Sequence, residues 1–287
     1  MSEYQFIGNI ILRGKIVCKT ALHIGGAKDT YEIGGMDNPV IKTIWGEPYI
    51  PGSSLKGKMR SLLDWSLGKV AKPDPHKDKK EVKESGGKSK FGCRCGKQDC
   101  PICRIFGIEA EKEGETEAEK GRDFGPTRLL VRDAFMDPES EKKLLELGRT
   151  TELKMENTID RISGKAEHPR PIERVPEGTE FAFSMVYSVY SVENDGCKKD
   201  IGMFPYVLDA MILLEDSYLG GMGSRGSGQV EFKDIKITFR SKDYYLKGKE
   251  EQLLARFPAP RITQDQRNKL LEDLNKVVGD ANPGSES

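Results

Sequence analysis

The sequence has no apolar run long enough to span a bilayer, and its first residues, MSEYQFIGNI, lack the h-region of a signal peptide. Those absences exclude a helical membrane protein and lead us to expect a soluble, cytoplasmic chain with no membrane partner. An excess of charge is missing too: Lys plus Arg and Asp plus Glu each number 46. Net charge therefore speaks neither for nor against nucleic acid, and an RNA site would have to come from local clusters of cations. Apolar residues are scarce, at 36% of 287 residues, whereas 32% are charged. A core is feasible on those figures, but much of the chain must be solvated loop or insertion. No internal repeat is evident.

What is present begins with an alternating segment. Ile10, Leu12, Ile16, Cys18, Leu22 and Ile24 share one face, and Arg13, Lys15, Lys19 and His23 the other. The pattern predicts one long half-buried strand with a basic outer surface. A glycine-rich loop, Gly25 to Gly35, runs into GGMDNPV. After YIPG, the spacing of Leu55, Met59, Leu62 and Leu63 predicts a helix with Ser53 or Ser54 as N-cap. Strands are predicted at 128–135, 181–189 and 229–240, and a helix at 205–215 with Pro205 in its first turn. The apolar phase slips between Phe232 and Ile235, which predicts a bulge near Lys233–Asp234. Residues 139–174 break the regular pattern and read as an inserted excursion, a hairpin.

With insertions set aside the order is β-α-β-β-α-β, an α+β chain with a ferredoxin-like core. The boundaries that follow are 1–68 and 125–240 for the core and 69–124 for a charged insertion holding a cysteine cluster. A hairpin insertion takes 139–178, and a C-terminal extension, helical over 250–278 and frayed from Gly279, takes 241–287.

Four segments carry chemistry. In PGSSLKGKMR, Lys56 and Lys58 are placed in the first turn of a predicted helix, where the macrodipole disfavours cations by ~0.3–1 kcal/mol each. Lys56 and Arg60 are also like charges four residues apart. A bound polyanion would offset both costs; an ordinary solvated basic face is the plain alternative. Gly52, Gly57 and Lys58 have P-loop spacing, but Met59 stands where that motif needs a hydroxyl, so a nucleotide site is excluded.

In LGGMGSRGSG, Gly221, Gly223 and Gly226 match G-x-G-x-x-G in the wrong context, with a helix before and a strand after. What remains is a loop of exposed amides with one cation, Arg225, suited to phosphodiester contact.

The cluster Cys93-x-Cys95-x4-Cys100-x2-Cys103 fits a closed tetrahedral zinc site, structural because no position is left for water. His76 could replace one cysteine, and free buried thiols are the bland reading. In GGMDNPV, Asp37 is either an Asx-turn residue or a functional carboxylate. His23, beside Lys15 and Lys19, is either a surface histidine or an RNA contact.

The blocks LHIGG, GGMDNPVIK, PYIPGSSLKGKMR, CPICRIFG, ENTIDRISGKAEHPRPIERVPEGTEF and LGGMGSRGSGQVEF occur in that order. Together they resemble the repeating backbone subunit of the type III-A CRISPR interference complex, within the RAMP superfamily, over most of Ile10 to Phe239. The resemblance implies copies of the chain stacked in a filament along one CRISPR guide RNA, beside other subunits of the complex. It implies a thumb hairpin near Leu153–Arg174, with Ile159 and Arg161 close to the RNA, that displaces target-RNA bases at regular intervals. It further implies endoribonuclease cutting at Asp37 with a divalent cation, Mg2+ or Mn2+. Guide contacts would fall at His23, Ser54, Lys56, Lys58, Arg60 and the loop Gly221, Gly223, Ser224 and Arg225. Three other readings stand beside it: a non-catalytic RNA scaffold, a stand-alone CRISPR-RNA processing ribonuclease, and a zinc-stabilised protein-interaction module.

Overall fold

A computed structural model describes residues 4–26, 38–70, 92–108, 125–192, 195 and 197–281. Asp37, His76 and both charged insertions, 71–91 and 109–124, lie outside the described residues.

The central strand is β1 (Tyr4–Cys18). Its even positions Ile10, Leu12, Ile16 and Cys18 are buried, as alternation requires. It pairs antiparallel with β7 (Glu180–Val192) on one side and β8 (Val230–Ser241) on the other. Beyond β7 lie β3 (Leu129–Val131) and β4 (Ala134–Met136), followed by β2 (Tyr49–Ile50); beyond β8 lies β9 (Gln252–Phe257). Every pairing in this seven-stranded sheet is antiparallel.

Two helices, α1 (Gly52–Ser66) and α5 (Pro205–Glu215), pack side by side over the sheet. They bury Leu55, Met59 and Leu63 from one and Val207, Leu208, Met211 and Leu214 from the other. The core joins these to Phe181, Phe183, Met185, Tyr187 and Val189 of β7, the side chains that the alternation in the sequence singles out.

The expected bulge is present. Arg13 pairs with Lys236 but Lys15 with Lys233, so β8 carries an extra residue there, and Asp234 has φ 55°. Gly14 sits opposite, where a Cβ would lie 2.6 Å from the Lys233 carbonyl oxygen. Only glycine lets the two backbones approach so closely.

Several expectations are corrected. The first strand stops at Cys18; Leu22 and Gly25 instead make isolated antiparallel bridges to Val175 and Val40. His23 is consequently buried rather than part of a basic outer face. The strand expected at 128–135 is two short strands, because Asp133 between them turns to receive the Gly52 amide at 2.7 Å. That carboxylate caps α1, whose N-cap position is Pro51, so neither Ser53 nor Ser54 is the cap and both Lys56 and Lys58 fall in the second turn. The C-terminal extension is a short helix α6 (Lys242–Lys247), the edge strand β9 and α7 (Gln264–Ala281), so its expected helix begins later and ends later.

Helix α7 docks through Leu270, Leu274 and Val278, and its Arg267 grips Asp209 of α5 at 2.5 Å. The excursion expected at 139–174 is the helix α3 (Pro138–Glu146) and a separate two-stranded sheet, β5 (Glu152–Ile159) with β6 (Ala166–Arg174). Helix α2 (Pro101–Phe106) carries Cys103 and has Cys100 at its N-cap position, and α4 (Lys198–Met203) precedes α5. Among the described residues no helix is long and apolar enough to cross a membrane.

Candidate nucleic-acid interface and metal centre

The loop that holds Asp37 closes at its base among described residues. The Gly26 amide donates to the Pro39 carbonyl at 3.0 Å and Ile41 to the Ile24 carbonyl at 2.8 Å. Beside this base stands Glu173, near the end of β6 and buried. Its Oε2 accepts from the Val40 amide (2.9 Å), and its Oε1 accepts from Lys42 Nζ (2.5 Å) and Thr151 Oγ1 (2.6 Å). Burial works to raise the Glu173 pKa, but the hydrogen bonds from Lys42, Thr151 and Val40 outweigh it and hold the carboxyl below its usual range. One carboxylate thus fastens the outgoing limb of the Asp37 loop to the root of the hairpin.

His23 belongs to the same knot. Its Nδ1 lies 2.7 Å from the Glu173 carbonyl, which can only accept, so Nδ1 carries hydrogen and Nε2 is the free nitrogen. The His23 carbonyl accepts from the Gly221 amide at 2.8 Å. Gly220 (φ +74°) lies so near that a Cβ would sit 2.2 Å from that oxygen. The glycine loop is therefore folded tightly against the strand exit, which gives its glycines a steric reason beyond flexibility. Gly223 is pressed on the Tyr218 ring in the same way.

The expected cations are not all free. Lys58 sits over the Tyr218 ring, 3.7 Å from its centroid, and links α1 to the glycine loop. Lys56 donates to the Leu129 carbonyl at 2.7 Å; burial, with the nearby charge of Arg60, lowers its pKa. Arg60 donates through Nη2 to the Cys93 carbonyl at 2.9 Å. Arg225, two-thirds exposed, pairs with Glu156 of β5 at 2.8 Å. Ser224 is exposed, and Ser54, Gly221 and Gly223 are half-exposed. Lys58 thus joins α1 to the glycine loop and Arg225 joins that loop to the hairpin, while Lys56 and Arg60 turn to β3 and the cysteine segment.

The hairpin itself displays apolar residues to solvent. Leu153, Met155 and Ile159 are more than half exposed and Ile162 is 98% exposed, with exposed Arg161 between the last two. Its turn is rigidly made: Asp160 Oδ1 accepts from the amides of Ile162 (2.9 Å) and Ser163 (2.6 Å), and Gly164 takes φ +67°.

The four cysteines converge. Their sulfurs all lie within 4.8 Å of one another. Cys93–Cys100 is 3.5 Å, while Cys95–Cys103 and Cys93–Cys103 are 3.9 Å. Four thiolates at about 2.3 Å from a tetrahedral ion stand about 3.8 Å apart, so this set fits a metal such as zinc without His76. Hydrogen bonds from Cys103 and Cys93 pull the Cys100 thiol far down, whereas Cys93 is pushed up to about 12, first by its bond to Cys100. Among the described residues it is the one group of three or more His, Cys, Asp or Glu that could hold a metal ion.

Sequence reasoning missed Glu173, Asp133, Asp64 and the buried trio Arg104, Arg128 and Asp200. A usable signal existed for Glu173, a carboxylate directly after the buried apolar Ile172 near the end of β6. Asp133 and Asp200 gave none, since their partners are about 80 and 100 residues away in the chain.

This is a mixed α/β protein on an antiparallel sheet. The sequence profile of the RAMP superfamily matches residues 15–231. A protein of Methanothermobacter thermautotrophicus is 42% identical over 248 residues, 84% of this chain and 90% of that one. One of Methanocaldococcus jannaschii is 38% identical over 284 residues, 98% of this chain and 99% of that one. Both carry the name CRISPR system Cms endoribonuclease Csm3. The crystal structure of Methanopyrus kandleri Csm3 is similar, with a TM-score of 0.53 and 26% identity over 96% of this chain and 98% of that one. So is a chain of the Csm3–Csm4 subcomplex of the type III-A CRISPR-Cas interference complex, with a TM-score of 0.51 and 25% identity, covering 96% and 97%. The chain belongs to the RAMP superfamily.

Proposed function

We propose that the chain is a guide-RNA-binding backbone subunit of a type III-A CRISPR effector that cuts complementary target RNA at regular intervals, using Asp37. The observation that carries this reading is the Glu173 knot, which joins the base of the Asp37 loop, His23 and the hairpin root in one place. Relatives that align along nearly their whole length bear the name of a CRISPR endoribonuclease, and one similar structure is a complex with a second subunit. The sheet order, with β1 between β7 and β8 and the β3–β4 strand outside β7, supports a ferredoxin-like core. The domain boundaries are proposed as the sequence gives them, with the zinc-binding segment and the thumb hairpin as insertions. The chain acts in the cytoplasm, in a filament of its own copies.

RNA carries its own nucleophile, the 2′-OH, so cleavage depends on in-line geometry more than on a potent protein group. The rigid hairpin presents Ile159, Arg161 and Ile162 to displace a target base, which swings the neighbouring 2′-OH into line. Asp37 accepts its proton; the 2′-oxygen forms a bond to phosphorus as the bond to the 5′-oxygen breaks and that oxygen takes a proton from water, leaving a 2′,3′-cyclic phosphate and a 5′-OH. Ser54, Lys56, Lys58, Arg60, the close-approach backbone at Gly221 and Gly223, Ser224, Arg225 and His23 Nε2 hold the guide backbone, with Arg225 exchanging Glu156 for phosphate. A Mg2+ or Mn2+ ion beside Asp37 would supply further charge neutralisation at the phosphate. Zinc in the four-cysteine site is structural. Assembly with partner subunits and a defined guide, then mapping of cuts on a complementary RNA, tests the reading: evenly spaced cuts with cyclic-phosphate ends support it. Cutting of precursor RNA by the isolated chain would instead favour a processing ribonuclease.

A further inference from the structure

Asp64 is a buried carboxylate near the C-terminal end of α1. A negative charge buried there opposes the helix dipole. Such a residue needs a partner, and it has one. Its Oδ1 accepts the amide of Cys93 at 2.9 Å, while Arg60, one turn earlier, donates to the carbonyl of the same residue at 2.9 Å. Both polar groups of the Cys93 main chain are therefore held by one helix. Gly92 completes the fit: with φ +90°, its position would put a Cβ 2.3 Å from Asp64 Oδ2, so the chain can pass the carboxylate only as glycine.

Charge supports the arrangement. A divalent ion with four thiolates carries a net charge of about −2, and Asp64 adds another negative charge beside it. Arg60 lies against both, with Nε 3.8 Å from Asp64 Oδ2 and in no hydrogen bond.

We propose that Asp64 and Arg60 are positioning residues of the metal site: they fix the Cys93 peptide so that its sulfur meets a soft divalent ion, and they tie that ion to the helix bearing Lys58. The inference rests on the metal reading above. Full-length chain is titrated with Co2+, followed by its thiolate charge-transfer and tetrahedral d–d bands, and then by Zn2+ competition. Asp64→Ala should weaken zinc by 10–100-fold, Asp64→Asn, which keeps an acceptor, by much less, and Arg60→Met should move affinity the same way as Asp64→Ala. Far-UV circular dichroism at saturating metal reports whether each variant is folded. Zinc affinity within twofold of wild type in folded Asp64→Ala or Arg60→Met overturns the inference. If Asp64→Ala does not fold, Arg60→Met decides. A wild-type chain that shows no tetrathiolate cobalt spectrum overturns the metal reading itself, and the inference with it.

Discussion

Glu173 does two jobs through different atoms: its carboxylate receives two donors from the loop side and one from Thr151 at the hairpin root, and its carbonyl sets the tautomer of His23. Replacing it by Ala leaves the buried Val40 amide without its acceptor, which costs roughly 1–3 kcal/mol, and removes the partner of half-buried Thr151 and of the more exposed Lys42. We expect Glu173→Ala to lower the urea midpoint accordingly. The sign with pH follows from the depressed pKa. The stabilisation is complete above the unfolded carboxyl value near about 4.3 and is lost as pH falls through the lower folded value. The stability gap between wild type and Glu173→Gln, measured by urea unfolding, should therefore hold from neutral pH to that region and shrink below it. Asp37 was legible as one acidic residue in a glycine loop, but nothing local paired Glu173 with Lys42, because the two are 131 positions apart in the chain.

Among the elements, those with strong local pattern were readable. The alternation of Phe181 to Val189 and the proline-started helix at 205–215 appear in the structure as β7 and α5. The bulge was readable because a phase slip is a local signal. The first strand was read too long because Leu22 and Ile24 keep the alternating parity after the chain has left the sheet and bridged to Val175 and Val40. The α1 cap was misread because Ser53 and Ser54 are good caps by type, whereas a carboxylate 81 residues away takes the role. Asp133→Ala should destabilise the fold by about 0.5–2 kcal/mol, as loss of an N-cap does. The hairpin tip predicts the opposite pattern. Ile162→Ser should leave thermal stability unchanged within about 0.5 kcal/mol, since the side chain touches almost nothing, while reducing target-RNA cutting by the assembled complex.

Across the whole molecule, the cysteine segment is joined to the sheet by a buried charge cluster. Asp200 receives Arg104 at 2.5 Å and Arg128 at 2.8 Å, and all three side chains are fully buried. Arg104 follows Cys103 directly, so the charge cluster joins the cysteine segment to α4 and, through the Tyr190 amide that Asp200 also accepts, to β7. Asp200→Ala strands two guanidinium groups in the interior and should cost about 3–5 kcal/mol by chemical denaturation. Arg60 and Asp64 give the same segment its second attachment, to α1, so the side of the proposed guide groove formed by Lys58 is braced from behind. The central claim concerns Asp37, and complexes assembled with Asp37→Ala test it directly. Such complexes should form with guide, bind complementary RNA as tightly as wild type, and leave it uncut. Evenly spaced cleavage by the fully assembled variant would contradict the account.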